Sequence, residues 1–375
     1  MKKYLFQQPL LAKSSRLHSY LRKIDKNRYY SNFGPLYKEC KKKIEKYLGL
    51  KKNTITFTSS GFSSLLSLCY FVKKKNPKKK YILVPSYSFQ ANPQAILQAG
   101  FEPIFLDIDI KNLCMDYEQI CIAFKKYKEN IAAIMIVSPF GYPIKIDYLN
   151  NIKNKFNTIV IYDAADTFLN FDKKTLDQSK ILITCSFHPT KTLPANESGM
   201  IIAPKKYSNY FSSIVNFGIK DTKNKETINL GFNFKFSEYD AAILMSNFEN
   251  TQNIKRSIKK KIRYIVKKLE NNKYINFQHL FSKTWFSLKV LIISNNTINF
   301  QKNFKKIRSR YKVDIYKGWS SKPMHQHRIF KKFKKISLNN TNHIANRLFC
   351  IPFNINYKKK ELDRLVQSVN SIFLK

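Results

Sequence analysis

The stretch Ser186-Phe-His-Pro-Thr-Lys191 follows an apolar segment, 181–185, whose length and composition predict a buried strand. Asp163-Ala-Ala comes directly after another apolar segment, 158–162. Ligands of open α/β sheets bind at the carboxyl ends of the parallel strands. Because Asp163 and Lys191 both follow such strands, the sequence predicts that the two side chains lie in one binding site.

Further apolar segments of strand length alternate with helical patterns over the first two thirds of the chain. They are 54–58, 81–85, 103–108, 132–137 and 200–204. Continuous apolar strands joined by helical crossovers are typical of a mostly parallel sheet with helices on both faces. We therefore predict an α/β fold whose large sheet has seven strands, with 200–204 as an antiparallel return strand.

The composition changes near residue 250. The segment 251–272 has the pattern of a long, lysine-rich amphipathic helix, and shorter strands and helices follow it. We predict two domains, a large domain over 1–250 and a smaller α+β domain over 251–375.

The chemistry of a buried lysine and a buried aspartate narrows the function. Burial lowers the pKa of a lysine and makes its amine a nucleophile, whereas a buried carboxylate needs a cationic partner. Pyridoxal 5′-phosphate (PLP) uses both groups, because an amine condenses with its aldehyde and a carboxylate keeps its ring nitrogen protonated. Lys191 and Asp163 are therefore the candidate catalytic residues, and PLP is the candidate cofactor.

Three other features after predicted strands are weaker indications of the same site. Gly61 and Phe62 lie where a strand meets a helix, whose first amides can bind an anion. Phe89 can stack on a flat ring, and Ser186 can bind a polar group. Each also fits an ordinary structural role, as a turn, a core aromatic side chain or a cap.

The formal charge of +44 at first suggests a nucleic-acid partner. Ten of the 68 basic residues are arginine, the residue that reads bases and phosphates best, and the lysines are spread along the whole chain. We predict a solvated basic surface with no nucleic-acid partner, although such a charge can steer an anionic substrate into a cleft. A basic protein that binds nucleic acid or membrane without catalysis remains the alternative.

Location and metal content are also addressed by the sequence. No apolar run approaches the roughly 18 residues of a membrane span. The six cysteines form no C-x-x-C pair, which predicts reduced thiols in a cytoplasmic protein. Met324-His-Gln-His327 has no cysteine or carboxylate at ligand spacing, so we predict no metal.

A series of segments resembles, in order, the motifs of the DegT/DnrJ family of PLP-dependent nucleotide-sugar aminotransferases. They are Asn32-Phe-Gly-Pro35, Ser60-Gly-Phe-Ser-Ser-Leu65, Pro85-Ser-Tyr-Ser-Phe89, Phe105-Leu-Asp-Ile-Asp109, Asp163-Ala-Ala-Asp166, Ser186-Phe-His-Pro-Thr-Lys191, Gly231-Phe-Asn-Phe-Lys-Phe-Ser-Glu238 with the following residues to Ala242, Pro323-Met-His325 and Arg347-Leu-Phe-Cys-Ile-Pro352. The resemblance implies the aspartate-aminotransferase-like fold, called fold type I.

The resemblance also implies a role for each matching residue. Lys191 binds the cofactor covalently, Asp163 pairs with its ring nitrogen, and Phe89 stacks on the ring. Its phosphate is held by Ser186 and by the backbone amides of Gly61 and Phe62.

Three more roles follow from the same resemblance. Asp166 lies near the 3-oxygen of the cofactor. Asn233 reaches the cofactor phosphate of the neighbouring subunit, which implies a homodimer with shared active sites. His325 is a candidate contact for the substrate.

The implied reaction moves an amino group from an amino acid, with glutamate as the expected donor, to a keto-sugar carried on a nucleoside diphosphate. Its products would serve amino-deoxysugar and surface polysaccharide biosynthesis. A PLP enzyme of the same fold with another acceptor or reaction, or a weakened paralogue, remains the alternative. Three departures bear on this point: Phe62 replaces a threonine, Asn196-Glu-Ser-Gly199 replaces G-E-G-G, and Asp166 adds a negative charge near the cofactor.

Overall fold

A computed structural model describes residues 9–219, 225–276, 286–297, 300–319 and 322–373. The strands are β1 (Asn53–Thr58), β2 (Tyr81–Pro85), β3 (Glu102–Leu106), β4 (Ile131–Val137), β5 (Ile159–Asp163), β6 (Leu182–Ser186), β7 (Gly199–Pro204), β8 (Ile275–Asn276), β9 (Lys289–Ser294), β10 (Tyr316–Lys317) and β11 (Leu348–Pro352). The helices are α1 (Ser14–Asn27), α2 (Pro35–Leu48), α3 (Gly61–Lys75), α4 (Ala91–Gln98), α5 (Tyr117–Tyr127), α6 (Ile146–Lys155), α7 (Lys173–Leu176), α8 (Ser208–Ile214), α9 (Glu238–Phe248), α10 (Thr251–Leu269), α11 (Phe300–Tyr311), α12 (Asn339–Ala345) and α13 (Lys359–Asn370).

The large sheet has seven strands in the order β1-β7-β6-β5-β4-β2-β3. Its strands pair in parallel except at β7, which runs antiparallel to both β1 and β6. β4 is buried at every position, as expected for a strand covered on both faces. The predicted α/β fold is confirmed, and each of the seven predicted strands lies within one or two residues of its predicted bounds.

A second sheet of four antiparallel strands, in the order β10-β11-β9-β8, follows the long helix α10. Helix α10 begins at Thr251, and its apolar stripe includes the buried side chains of Ile258 and Ile265. These side chains belong to the same hydrophobic cluster as Ile44 of α2 and Val290 of β9. The division at residue 250 stays a prediction, because one continuous core extends from the large sheet to the small one.

The local sequence explains where helix α2 ends. Gly49 adopts the left-handed conformation, with φ of 71°, and its amide donates to the carbonyls of Glu45 and Lys46. Glycine adopts this conformation without steric cost, so Gly49 is suited to end α2.

Over the described residues, the helices are all too short or too polar to cross a membrane. The same part of the chain brings no three histidine, cysteine, aspartate or glutamate side chains together in a way that could hold a metal.

Candidate active site

The segments that follow β1, β2, β4, β5 and β6 meet at the carboxyl edge of the large sheet, around a cavity of about 430 Å³. The cavity contains most of the predicted site residues. They are Gly61, Phe62, Phe89, Asp163, Asp166, Ser186 and Lys191. Its other side is closed by Lys289 and Tyr316 of the second sheet and by Gly318 and Trp319, which follow β10. The cavity therefore lies between the two sheets.

Asp163 is the last residue of β5 and is 5% exposed. One carboxylate oxygen, Oδ2, accepts a hydrogen bond from Asn92 Nδ2 at 2.6 Å, and Oδ1 accepts from the amide of Ala165 at 3.0 Å. Burial raises the pKa of Asp163, while the Asn92 hydrogen bond and the charge of Lys191 lower it. The carboxylate is thus fixed in direction, and among the residues that the structure describes it forms no ion pair.

Lys191 lies in the turn after β6, where its amide donates to the His188 carbonyl at 2.9 Å. Burial lowers the pKa of Lys191, and the neighbouring charge of Lys289 lowers it further, whereas Asp166 and Asp163 raise it. A lysine with a lowered pKa carries a larger share of the neutral amine at neutral pH. The cavity therefore presents a nucleophile and proton carrier.

The amino terminus of α3 forms the third part of the site. Ser60 caps the helix, because its hydroxyl accepts from the amide of Ser63 at 3.0 Å. The first amides of a helix have no acceptor within the helix, so those of Gly61 and Phe62 can bind an anion. A Cβ at Gly61 would lie only 2.7 Å from Ser186 Cβ, so glycine lets the helix approach the serine closely.

These three parts fit PLP. The helix amides and Ser186 would hold its phosphate, Asp163 would hold its ring nitrogen, and Lys191 would reach its aldehyde. The fit rests on the raised pKa of the buried Asp163 carboxyl, which forms no ion pair with any of the described residues, and on the tight cradle of Gly61 and Ser186.

Replacing Gly61 by alanine is expected to weaken PLP binding by about tenfold to a hundredfold, because the added methyl group pushes Ser186 away from the helix. A spectroscopic titration with PLP measures the effect. Gly100→Ala is the control: alanine at its φ of 76° is strained, but its Cβ would meet no atom within 4 Å, and Gly100 lies between α4 and β3 and does not line the cavity, so PLP affinity should stay unchanged. Equal affinities of the Gly61→Ala protein and the wild type would contradict the cradle.

Asp166 is tied to both sheets. Its Oδ1 accepts from the amide and the hydroxyl of Thr192, at 3.0 and 3.2 Å. Its Oδ2 lies 3.4 Å from Lys289 Nζ on β9. Sequence reasoning missed Lys289, since nothing separates it from the other 57 lysines of the chain. It also missed Asn92, which carried no motif of its own.

Aromatic side chains and one polar pair complete the walls. Phe89 is half exposed and lines the cavity, as the predicted ring-stacking role requires. On the other side, the rings of Phe140 and Trp319 stack with centroids 4.4 Å apart. His188 Nε2 lies 3.2 Å from Glu197 Oε1 at the rim.

Two predicted site residues lie apart from the cavity. Asn233 is exposed, and its side-chain oxygen accepts from Lys235 Nζ at 2.5 Å. His325 is buried, and its Nδ1 lies 2.7 Å from the hydroxyl of Ser86, just after β2. Neither is among the cavity-lining residues of the described chain. His325 is placed to hold the segment after β2, and its contact with substrate stays a prediction.

Comparison with known proteins places this site in a family. The profile of the DegT/DnrJ/EryC1/StrS aminotransferase family matches residues 12–370. The chain belongs to this family. A curated relative, the dTDP-4-amino-4,6-dideoxy-D-glucose transaminase of Shigella dysenteriae, is 26% identical over 99% of this chain and 100% of its own. The 3-oxo-glucose-6-phosphate:glutamate aminotransferase of Bacillus subtilis is 24% identical over 90% of this chain and 75% of its own.

Solved structures share the fold. A putative PLP-dependent aminotransferase from Bacillus cereus superposes with a TM-score of 0.88 and 24% identity, covering 98% of this chain and 100% of its own. The ntda protein of Bacillus subtilis, solved with bound cofactor PMP, gives a TM-score of 0.82 at 20% identity, covering 99% of this chain and 86% of its own. The predicted family, fold class, enzyme class and cofactor are therefore confirmed: this member of the DegT/DnrJ/EryC1/StrS family is a PLP-dependent aminotransferase. The names of the curated relatives agree with the predicted function.

Proposed function

We propose that the protein transfers an amino group from an amino acid, with glutamate as donor, to a keto-sugar carried on a nucleoside diphosphate. The observation that carries this proposal is the single cavity that brings together Lys191, Asp163 and the Gly61 cradle. The names of the family relatives, among them the Shigella transaminase of a dTDP-linked sugar, support the sugar acceptor. The products would serve amino-deoxysugar and surface polysaccharide biosynthesis.

The residues of the cavity divide the work of transamination. PLP, when bound, supplies an aldehyde that condenses with amines and a ring that withdraws electrons from the adjacent carbon. Asp163 would hold the ring nitrogen in its protonated form. Lys191 Nζ takes the proton from the α-carbon of the donor as a general base and returns a proton as a general acid. Phe89 and the Phe140–Trp319 pair shield that proton from water.

The charge of the chain suits this acceptor. A nucleoside diphosphate is anionic, and a net charge of +44 raises its local concentration near the cleft. Because exposed charges are screened by salt, this contribution affects KM more than kcat and falls as ionic strength rises.

The proposal includes a homodimer with shared sites. Asn233 lies outside the cavity of its own chain, as a residue that serves a neighbouring subunit must. Large apolar side chains are exposed in the segments that flank it in the sequence: Phe217 (50%), Ile228 (45%), Leu230 (84%) and Tyr239 (47%). Clustered exposed apolar groups mark interfaces.

The six free thiols fit the reducing cytoplasm, where we place the reaction.

The function is tested with purified protein, PLP and glutamate against three acceptors: a dTDP-linked keto-sugar, a UDP-linked keto-sugar and 3-oxo-glucose 6-phosphate. Mass spectrometry follows the aminated product, and an enzyme-coupled assay follows 2-oxoglutarate. We expect amination of at least one nucleotide-linked acceptor. Preference for the sugar phosphate would favour the alternative acceptor class, in line with the Bacillus relative.

Mixing two inactive variants tests the shared site. Lys191→Met lacks the amine, and Asn233→Ala lacks the group that serves the neighbouring site. In a mixed dimer one site receives both defects and the other receives none, so random mixing should restore about a quarter of the wild-type activity. Subunit exchange is followed by native mass spectrometry. Mixed dimers without recovered activity would contradict the shared site.

A further inference from the structure

The Lys289–Asp166 pair joins the two sheets inside the cavity. Lys289 is the first residue of β9, in the small sheet, whereas Asp166 follows β5 in the large sheet. The two side chains are 15% and 4% exposed, and Nζ and Oδ2 are 3.4 Å apart. Buried charges are retained where they are paired, so neither group is an accidental surface charge.

The Lys289–Asp166 pair is connected to Lys191 through the neighbouring residue Thr192 and through the shared cavity. Asp166 Oδ1 accepts from both the amide and the hydroxyl of Thr192, the residue next to Lys191. Lys289 itself lines the same cavity as Lys191. Moving either charge therefore changes the field at the Lys191 amine and also the hydrogen bonds that fix its backbone.

We propose that Lys289 is a positioning residue of the transamination: by pairing with Asp166 across the two sheets, it balances that carboxylate and sets the charge around the Lys191 amine. Without Lys289, the cavity would hold an unbalanced carboxylate at Asp166 besides Asp163. The proposal rests on the proposed function, because it concerns the group that moves the proton.

Lys289 and Asp166 shift the pKa of Lys191 in opposite directions. A cation nearby disfavours the protonated nitrogen of Lys191, and a nearby carboxylate favours it. Lys289 accordingly lowers the pKa of Lys191, and Asp166 raises it. The other charged or titratable groups that line the described cavity are Asp163 on β5, His188 and Glu197 in the segment after β6, and Tyr316 on β10. These groups are unchanged in the variants below, so the comparison isolates the pair.

The test is a pH titration of the visible absorbance of the holoenzyme, whose band depends on protonation of the nitrogen that Lys191 contributes. Lys289→Met is expected to move the midpoint up by about one pH unit, and Asp166→Asn is expected to move it down by a similar amount. The double variant should return towards the wild-type midpoint, and Lys289→Arg should keep it. Lys80→Met is the matched control, since Lys80 pairs with Glu102 at 3.1 Å just before β2, at the opposite edge of the sheet.

The outcomes separate this inference from the proposed function. A coloured Lys289→Met protein with the wild-type midpoint, or with a shift in the same direction as Asp166→Asn, would overturn the role of Lys289 and leave the aminotransferase intact. A protein that stays colourless with added PLP would overturn the proposed function itself. If Lys289→Met does not fold, the downward shift of Asp166→Asn and the unchanged midpoint of Lys289→Arg still decide the question, and failure of either contradicts the proposal.

Discussion

Replacing Lys191 by methionine is expected to slow amino transfer at least about a thousandfold, while the fold is retained. The substitution removes the amine that lines the cavity and moves the proton, and methionine keeps an unbranched side chain of similar length. The rate constant kcat with glutamate and the preferred keto-sugar measures the loss. Borohydride reduction should fix PLP covalently, and peptide mapping should then find it on Lys191 in the wild type. In the variant, the peptide that contains position 191 should carry no PLP.

The control for this substitution is Lys80→Met, which removes a lysine from an exposed ion pair far from the cavity. This variant should keep the wild-type rate, because exposed pairs contribute little to stability. A Lys191→Met protein with wild-type turnover would exclude Lys191 as the proton carrier.

Asparagine at position 163 is expected to lower amino transfer by about a hundredfold to a thousandfold, because losing one partner of a buried ion pair costs about 3–5 kcal/mol. Asparagine can keep the contact with the Ala165 amide but cannot hold a protonated ring nitrogen by charge. The measurement is kcat together with the affinity for PLP, and both should fall. Glutamate at the same position is a useful comparison, since it keeps the charge and misplaces it.

In the protein without cofactor, Asp163→Asn is expected to increase stability. Burial raises the pKa of Asp163, so the folded state binds its proton more tightly than the unfolded chain does. The cost of the ionised carboxylate is absent below the unfolded-state pKa of about 3.9 and grows as the pH rises through the folded-state pKa. Asp163→Asn should therefore gain thermal stability relative to the wild type as the pH is raised in the absence of PLP. A Tm difference independent of pH would contradict this account.

The site residues that the sequence predicted correctly as cavity residues share one property. Each lies next to a strand that can be recognised from its apolar composition. Asp163 ends the apolar strand β5, and Lys191 follows the apolar strand β6. Because ligands bind at the carboxyl ends of such strands, the sequence predicted that both side chains lie in the binding site. Gly61 was indicated in the same way, by a strand-to-helix turn with small residues. The order of the seven strands was less accessible, because pairing depends on contacts between distant segments.

The missed residues act across long separations. Asn92 donates to Asp163 from 71 residues away, and Lys289 reaches Asp166 from 123 residues away. No local pattern distinguishes one asparagine or lysine among many when its role depends on where a separate element packs. The hydrogen bond of His325 to Ser86 is another long-range contact that its motif did not show, and its predicted contact with substrate stays a prediction.

The meeting of five strand ends around one cavity has an evolutionary consequence. The chemical groups of the site are distributed over several strands: Gly61 follows β1, Asp163 ends β5 and Lys191 follows β6. A substitution in the loop after one of these strands leaves the anchors on the other two in place. On the wall opposite, Tyr316 and Trp319 belong to β10 and the segment after it, so they can vary while Lys289, Asp166 and the proton carrier Lys191 are kept. Such an arrangement permits selection to exchange the sugar that is accepted while conserving the reaction, and grafting this wall between relatives is a direct route to altered acceptor choice.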